Sequence, residues 1–454
     1  MWKIISSKLN AQAWSVAFVA VREDRPSLLY AEGNGLCQRI YNILCVKYNL
    51  TAMKRIPYDL TPDFSSMVFQ DNLYQHYKYY LQETPVFRSN EGVVYLTRYS
   101  DCVELLSNSH FRRSAPSGGC SPFSEVQRAQ TPLETMINHW VVFLDPPRHD
   151  VVRKAFMRPF TAKSIDQLAP FIRLQARKLL DALPQEGHVE FLQCYAFPLP
   201  ILVIAEILGV PQSDMAQFRT WSVLLTQALD TGNEEDILKG AEVSLQLKAY
   251  FTDLLRERHR MPQDCLINMI TNDSSLSLTA DEFLYGCVFL LWAGHETTKN
   301  LIANGIQILA ERPAELTLLQ QQPALLENAV EEMLRFESPV QKVSRWTHED
   351  VQFGDYYVPQ GTLVTALIGA ANRDAAVFNQ PDDFDMQRTK NRHIAFGSGI
   401  HHCLGALLAR VEARIAFAEL VPRVRQLEPV QHSWRTYSAF RSLESLSVKM
   451  CLSC

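Results

Sequence analysis

The sequence predicts a mainly α-helical protein with a minor β portion. Three observations carry this: one very long apolar helix, two further amphipathic helices, and strand signals confined to a short stretch. Thr279 opens the longest helix, because its hydroxyl can cap the first turn while Glu282 reaches back, the spacing of a capping box. The pattern continues through Phe283, Gly286, Phe289, Leu290, Ala293, Thr297 and Ile302 and stops before Pro313. At ~30 residues it is far longer than an average helix. Between Phe283 and Ala293 it is apolar nearly all round, so it must run through the middle of the molecule. Gly294-His295-Glu296-Thr297-Thr298 then places polar residues where burial should be deepest.

A second helix over about 324–336 ends before Ser338-Pro339 and sets Glu332 and Arg335 three residues apart on one face. A third, about 404–420, carries Leu404, Leu407, Leu408, Val411 and Ile415 at helical spacing and stops before Pro422. The best strand signal spans 351–364, as extended runs around Gly354-Asp355 and Pro359-Gln360-Gly361.

The chain has 454 residues, 47% of them hydrophobic and 20% charged, enough to bury a large core. No repeat, low-complexity tract or Gly/Ser linker divides it, so residues 53–454 are expected to form a single domain. Residues 1–52 show weak periodicity and are expected to be an extension, either poorly ordered or not part of the native protein. A formal net charge of -5 gives no global signal for nucleic acid or an anionic membrane. Ten scattered cysteines lack the spacing of a disulfide scaffold, which points to a reducing compartment. Cys451 and Cys454 have C-x-x-C spacing without a second pair and read as ordinary thiols. The apolar run 11–21 is shorter than the ~20 residues a bilayer span needs, and Arg22-Glu23-Asp24-Arg25 closes it. A cytoplasmic protein without a membrane span, monomeric, is the expectation.

The chemistry concentrates in Phe396-Gly397-Ser398-Gly399-Ile400-His401-His402-Cys403-Leu404-Gly405, which delivers a cysteine from a glycine-rich loop to the start of a helix. The positive end of a helix and its unpaired N–H groups favour thiolate, so a lowered pKa is expected for Cys403. Gly397 and Gly399 would let the backbone turn tightly against a flat ligand. A dinucleotide loop fails because His402 stands where the third glycine belongs. Zinc on His401, His402 and Cys403 would strain a tetrahedral site. A buried structural cysteine is the remaining alternative.

The same segment resembles the haem-binding signature of the cytochrome P450 family in its bacterial form, F-G-x-G-x-H-x-C-x-G, at every fixed position. Ala293-Gly294-His295-Glu296-Thr297-Thr298 is similar to the family's central-helix oxygen motif, and Glu332-x-x-Arg335 to its E-x-x-R. The stretch from Asn372-Arg373-Asp374 through Phe378, Pro381, Phe384 and Arg388 resembles its meander, and Asp145-Pro146-Pro147-Arg148-His149 through Arg153 and Phe156 its haem-contacting helix. These motifs follow the family's order across roughly residues 60–450.

The resemblance implies a P450 fold binding haem b between the central helix and the cysteine loop, with Cys403 as the metal ligand. It implies His149, Arg153, Arg345 and His401 at the haem propionates. Phe396, Gly397, Gly399, Gly405 and Ala293 would contact the cofactor, and Glu332, Arg335 and Arg388 would form a structural ion-pair triad. Glu296 and Thr297 fall on the acid–alcohol pair: a hydroxyl can hold a water or bound oxygen while a carboxylate links it to solvent. Gly294 is expected to open the helix and leave room for oxygen, with Thr297 bonding back to its i-4 carbonyl. Phe289, Ala293 and Thr297, at i, i+4 and i+8, should share the face toward the haem. Together with Val340, Val343 and Phe440, Phe289 and Ala293 would line the pocket for a small hydrophobic substrate.

A haem-thiolate monooxygenase is thus implied, fed by a ferredoxin or flavodoxin with its NAD(P)H reductase. Lys154, Arg158, Arg410 and Arg414 are the expected basic patch for that partner. A haem-thiolate peroxygenase or isomerase, or a non-catalytic haem sensor, are the rival functions.

Overall fold

The computed structural model describes residues 61–116, 131–230, 233–257, 265–436 and 439–452, together with three short strands nearer the start. The expected extension over 1–52 lies outside the described residues except for those strands, and Cys454 lies outside them too. The chain divides into two compact units, residues 1–56 with 352–357, and residues 57–351 with 358–454. In the first, β1 (Lys3–Ile4), β2 (Val19–Arg22) and β3 (Arg25–Leu28) form an antiparallel sheet in that order.

The second unit is mostly helical. Its early helices are α1 (Met67–Asp71), α2 (Leu73–Glu83), α3 (Tyr99–Ser107), α4 (Pro132–Ile137), α5 (Arg148–Phe156) and α6 (Ala162–Asp181). The middle of the chain supplies α7 (Pro198–Leu208), α8 (Met215–Asp230), α9 (Glu234–Arg256), α10 (Leu266–Thr271) and α11 (Ala280–Glu311). Four more follow: α12 (Pro313–Gln321), α13 (Leu326–Phe336), α14 (Ile368–Ala371) and α15 (Ala406–Leu420). One sheet is ordered β4 (Val86–Arg88), β5 (Val94–Leu96), β11 (Leu363–Leu367), β8 (Lys342–Thr347), β6 (Phe111–Arg112), with β11 parallel to β5 and antiparallel to β8. The expected hairpin, most of which belongs to the first unit, is present as β9 (Val351–Phe353) and β10 (Tyr356–Val358) around Gly354, whose φ of 57° suits glycine. β7 (Glu186–Glu190) pairs with β13 (Leu443–Leu452), and β13 with β12 (Val424–Trp434).

The central helix α11 bears out the sequence pattern closely. Thr279 caps it through Glu282 N–H, and Glu282 returns the bond to Thr279 N–H in a complete capping box. From Glu282 to Ala310 every residue is buried except Phe289, Trp292, Ala293, Gly294 and Thr297. Close approach to its neighbours depends on glycine: a Cβ on Gly286 would overlap the Phe156 ring of α5, and one on Gly305 would overlap Phe417 of α15 and Met333 of α13. No described helix is long and apolar enough to cross a membrane.

Two buried ionic clusters tie distant segments together. The Arg335 guanidinium meets both Glu332 oxygens, at 2.8 and 2.7 Å, and both groups are fully buried. Its remaining N–H groups donate to the carbonyls of Asn372, Pro381 and Asp383, so all five donors are used. Arg388 adds an ion pair to Glu332 at 3.1 Å, completing the expected triad. In the second cluster Arg441 bonds Glu337 at 2.8 Å and the Gln70 carbonyl at 2.8 Å, and stacks on Trp434.

The Gly286 contact can be tested. Gly286→Ala forces the Phe156 ring aside and should destabilise the protein by ~1–3 kcal/mol, the usual scale of overpacking. Urea unfolding should recover most of that loss when Phe156→Leu is added.

Candidate active site

The cysteine segment is shaped by two left-handed turns, Gly397 at φ 72° and Gly399 at φ 68°, conformations that side chains resist. Gly399 also sits so close to α3 that a Cβ would lie 2.5 Å from the Leu106 carbonyl. The loop closes on itself where Cys403 N–H donates to the Phe396 carbonyl at 2.9 Å, and Arg153 of α5 clamps it by donating to the His402 carbonyl at 2.7 Å. Cys403 is exposed on one side, yet desolvation is the largest influence on its thiol. That pushes the pKa up, against the Gly405 N–H, Arg153 and Arg410, which favour thiolate. Without a metal the thiol is thus pushed up, while the Gly405 N–H, Arg153 and Arg410 supply the pull toward thiolate that the sequence predicts from the helix start, and α15 itself begins only at Ala406. Metal ligation is what deprotonates a thiol in such a setting.

The residues expected at the propionates do come together. The rings of His149 and His401 meet edge to face at 4.5 Å, and Arg345, Arg113, His149 and Arg153 all act on His401. Burial first, then the charges of Arg345 and Arg113, hold its pKa down to about 2 while no anion among the described residues faces it. His149 is buried, with Nδ1 on Asp150 and Nε2 without a partner. Nε2 of His401 is likewise buried and unpartnered. Arg345 is 3% exposed, and the hydrogen bond its guanidinium makes among the described residues goes to the Ser344 carbonyl. Arg113, which the sequence reading passed over, donates to that same carbonyl and lies over Phe143. Two guanidinium groups on one oxygen, with two orphaned imidazole nitrogens nearby, match the two carboxylates of haem b. The donor set fits the cofactor.

On the distal side, the few residues of α11 that keep some exposure include Phe289, Ala293 and Thr297, the i, i+4, i+8 stripe expected to face the haem. Thr297 Oγ1 donates to the Ala293 carbonyl at 2.9 Å. Gly294 does not open the helix, which is continuous from Ala280 to Glu311. A Cβ there would press on Ile204 of α7 at 3.0 Å, so the glycine seats a neighbouring helix. Glu296 is 3% exposed and its carboxylate pairs with Lys299 instead of reaching solvent. Burial works to raise the carboxyl, but Lys299 and His295 prevail and hold it below the usual range. Val340 bridges to Phe440, and Phe440 meets Trp292 at 5.8 Å. Val343 lies on β8, partly exposed. Trp292 was not anticipated; its indole N–H donates to Thr226 of α8, and its ring stacks on Trp140 at 5.2 Å. The loop between about Phe111 and Asn138, expected from the resemblance to supply a pocket wall, lies outside the described residues over 117–130.

The expected basic patch is largely spent internally. Arg410 makes two bonds to Glu331 at 2.6 and 2.9 Å, Arg414 pairs with Glu327 at 3.0 Å, and Arg158 pairs with Asp273. Lys154 remains exposed. The carboxylates responsible are 79, 87 and 115 residues away in the chain, a distance that hid them from sequence.

A cytochrome P450 family model matches residues 237–438. The biotin biosynthesis cytochrome P450 of Bacillus subtilis is 36% identical over 358 residues, covering 78% of this chain and 89% of that protein. The vitamin D(3) 25-hydroxylase of Pseudonocardia autotrophica is 37% identical over 369 residues, 79% of this chain and 88% of that one. Among solved structures, P450BioI in complex with an acyl carrier protein ligated to hexadec-9Z-enoic acid superposes with a TM-score of 0.79 at 34% identity, covering 85% of this chain and 99% of that one. The chain belongs to the cytochrome P450 family, as a bacterial-type haem-thiolate monooxygenase that binds haem b.

Proposed function

We propose that Cys403 is the thiolate ligand of the haem, that Arg345, Arg153, His149 and His401 receive the propionates, and that Thr297 and Glu296 deliver protons on the distal side. When bound, the haem supplies reductive activation of O2 and insertion of one oxygen atom into an organic substrate. The observation that carries the assignment is the stripe Phe289, Ala293, Thr297, which keeps exposure on a helix otherwise buried from Glu282 to Ala310.

Around that stripe the chain's own groups have separable tasks. Phe289, Trp292, Val340, Val343 and Phe440 offer an apolar surface that would orient a small hydrophobic substrate and exclude water. Thr297 holds its hydroxyl proton on the Ala293 carbonyl, leaving the oxygen's lone pairs to accept from a water. Glu296 is the acid that would recharge that water. Bacterial members of the family draw electrons from ferredoxin-type partners. Here docking would be more apolar than ionic, since Met157, Ile400 and Leu407 are exposed on the segments around Cys403 while three of the four nearby arginines and lysines are already paired.

Cys403→Ser should abolish the thiolate-type absorption of the reduced carbon monoxide complex; its retention would reassign the ligand. Thr297→Ala should leave haem content and that absorption close to wild type, while the share of consumed NAD(P)H that appears as hydrogen peroxide rises severalfold. An unchanged peroxide yield would mean that protons arrive by another route. Reduction by a ferredoxin should slow roughly tenfold in Met157→Asp yet vary less than about threefold between low and moderate salt. Steep salt dependence with a silent Met157→Asp would place the partner on another face.

A further inference from the structure

Lys299 lies one helical turn beyond Glu296 and is 3% exposed, a degree of burial lysine almost never reaches unless paired. Its Nζ meets Oε1 of Glu296 and lies 6.0 Å from the centre of the Phe197 ring. Burial disfavours both charges, and each compensates the other. Two more groups face Glu296. His295, on the same helix, is held neutral near physiological pH, its pKa pushed down to about 4 by burial, with Lys299 and Arg219 of α8 adding to the effect. Arg435, just beyond β12, acts more weakly than either. Lys299 is therefore the principal opposing charge.

Helix geometry gives the pair a direction. With ~100° between successive residues, Lys299 stands ~60° to one side of Glu296 and Thr297 ~100° to the other. An ion pair with Lys299 thus draws the carboxylate round the helix, away from the Thr297 hydroxyl. Thr297 for its part is turned toward the Ala293 carbonyl.

We propose that Lys299 is a positioning residue for proton delivery: its ammonium keeps the buried Glu296 ionised and turned away from Thr297, and the acid serves Thr297 only when the pair opens. The proposal rests on Glu296 being the relay acid. In one cycle the pair opens, the carboxylate takes a proton from solvent water, passes it toward the water held by Thr297, and re-pairs as carboxylate. Without Lys299 a carboxylate in this site loses its main compensating charge and should keep a proton it cannot readily release.

Infrared spectra of the holoenzyme in H2O and D2O report the carboxyl group directly. Lys299→Met should show a protonated carboxyl band that wild type lacks and that disappears in the Lys299→Met, Glu296→Gln double variant. Lys299→Gln serves as a second neutral variant should the methionine fail to fold. Glu412, whose carboxyl burial pushes up, is common to all the variants and cancels between their spectra. NAD(P)H oxidation through a ferredoxin and its reductase, with no substrate added, should slow roughly tenfold in Lys299→Met and return to within about threefold of wild type in Lys299→Arg, which preserves the charge. No new band, or a wild-type rate in Lys299→Met beside a slow Glu296→Gln, overturns the proposal alone. A wild-type rate in Glu296→Gln overturns the relay assignment and the proposal with it.

Discussion

The site depends on the buried pair between Glu332 and Arg335. Removing one member would strand a full charge in the interior, which costs ~3–5 kcal/mol. The pair persists because every donor and most acceptor positions are used: Asp385 N–H and the Asn391 side chain reach the same carboxylate that holds Arg335 and Arg388. From Arg335 the order spreads outward. It fixes the Asn372 carbonyl, the Asn372 side chain in turn bonds Ser338 Oγ and Ile394 N–H, and two residues later the Phe396 carbonyl receives Cys403 N–H. The position of the cysteine is thus inherited from an ion pair on α13, through a meander with almost no regular structure of its own.

The two faces of the cofactor site use charge in opposite ways. On the propionate side positive groups crowd together, Arg113 and Arg345 on a single carbonyl, and burial with Arg113 drives the guanidinium of Arg345 well below its ordinary pKa. Asp145 offsets this only in part, and a cluster of that sign would favour an anionic group, in keeping with the propionate role proposed for it. On the distal side the charges cancel within the protein, since Glu296 and Lys299 neutralise each other in a helix surrounded by Phe, Leu and Trp. Cofactor retention and proton handling are in this way electrically separate.

Much of this was legible in the sequence wherever a single element decides the matter. The Thr279–Glu282 capping box, the i, i+4, i+8 stripe on α11 and the Glu332-x-x-Arg335 spacing all depend on local geometry, and the structure reproduces each. What could not be read depends on contacts between elements. The need for Gly294 comes from Ile204, and the neutralised arginines depend on carboxylates far along the chain. Lys299 is the instructive case, because Glu296-x-x-Lys299 has the same spacing as Glu332-x-x-Arg335. On an exposed helix that spacing is worth a few tenths of a kcal/mol. Only the burial of both groups, invisible in one sequence, distinguishes a structural and functional element from surface decoration.

Arg441 carries a consequence for how the chain is made. Its guanidinium joins the Glu337 carboxylate to the carbonyl of Gln70, 371 residues earlier, and Tyr74 donates to the same carboxylate at 2.8 Å. Ribosomes add residues at roughly 5–20 per second, so Gln70 and Tyr74 emerge many seconds before the group that will neutralise Glu337. Glu337 itself follows Gln70 by 267 residues and precedes Arg441 by 104, so the segment around α1 and α2 waits for both members of the pair that ties it down. Vectorial synthesis therefore works against this fold at its first helices: their aromatic rings can pack on one another early, as Tyr80, Phe87 and Tyr95 do, but the ion pair that anchors them is among the last contacts the chain can make.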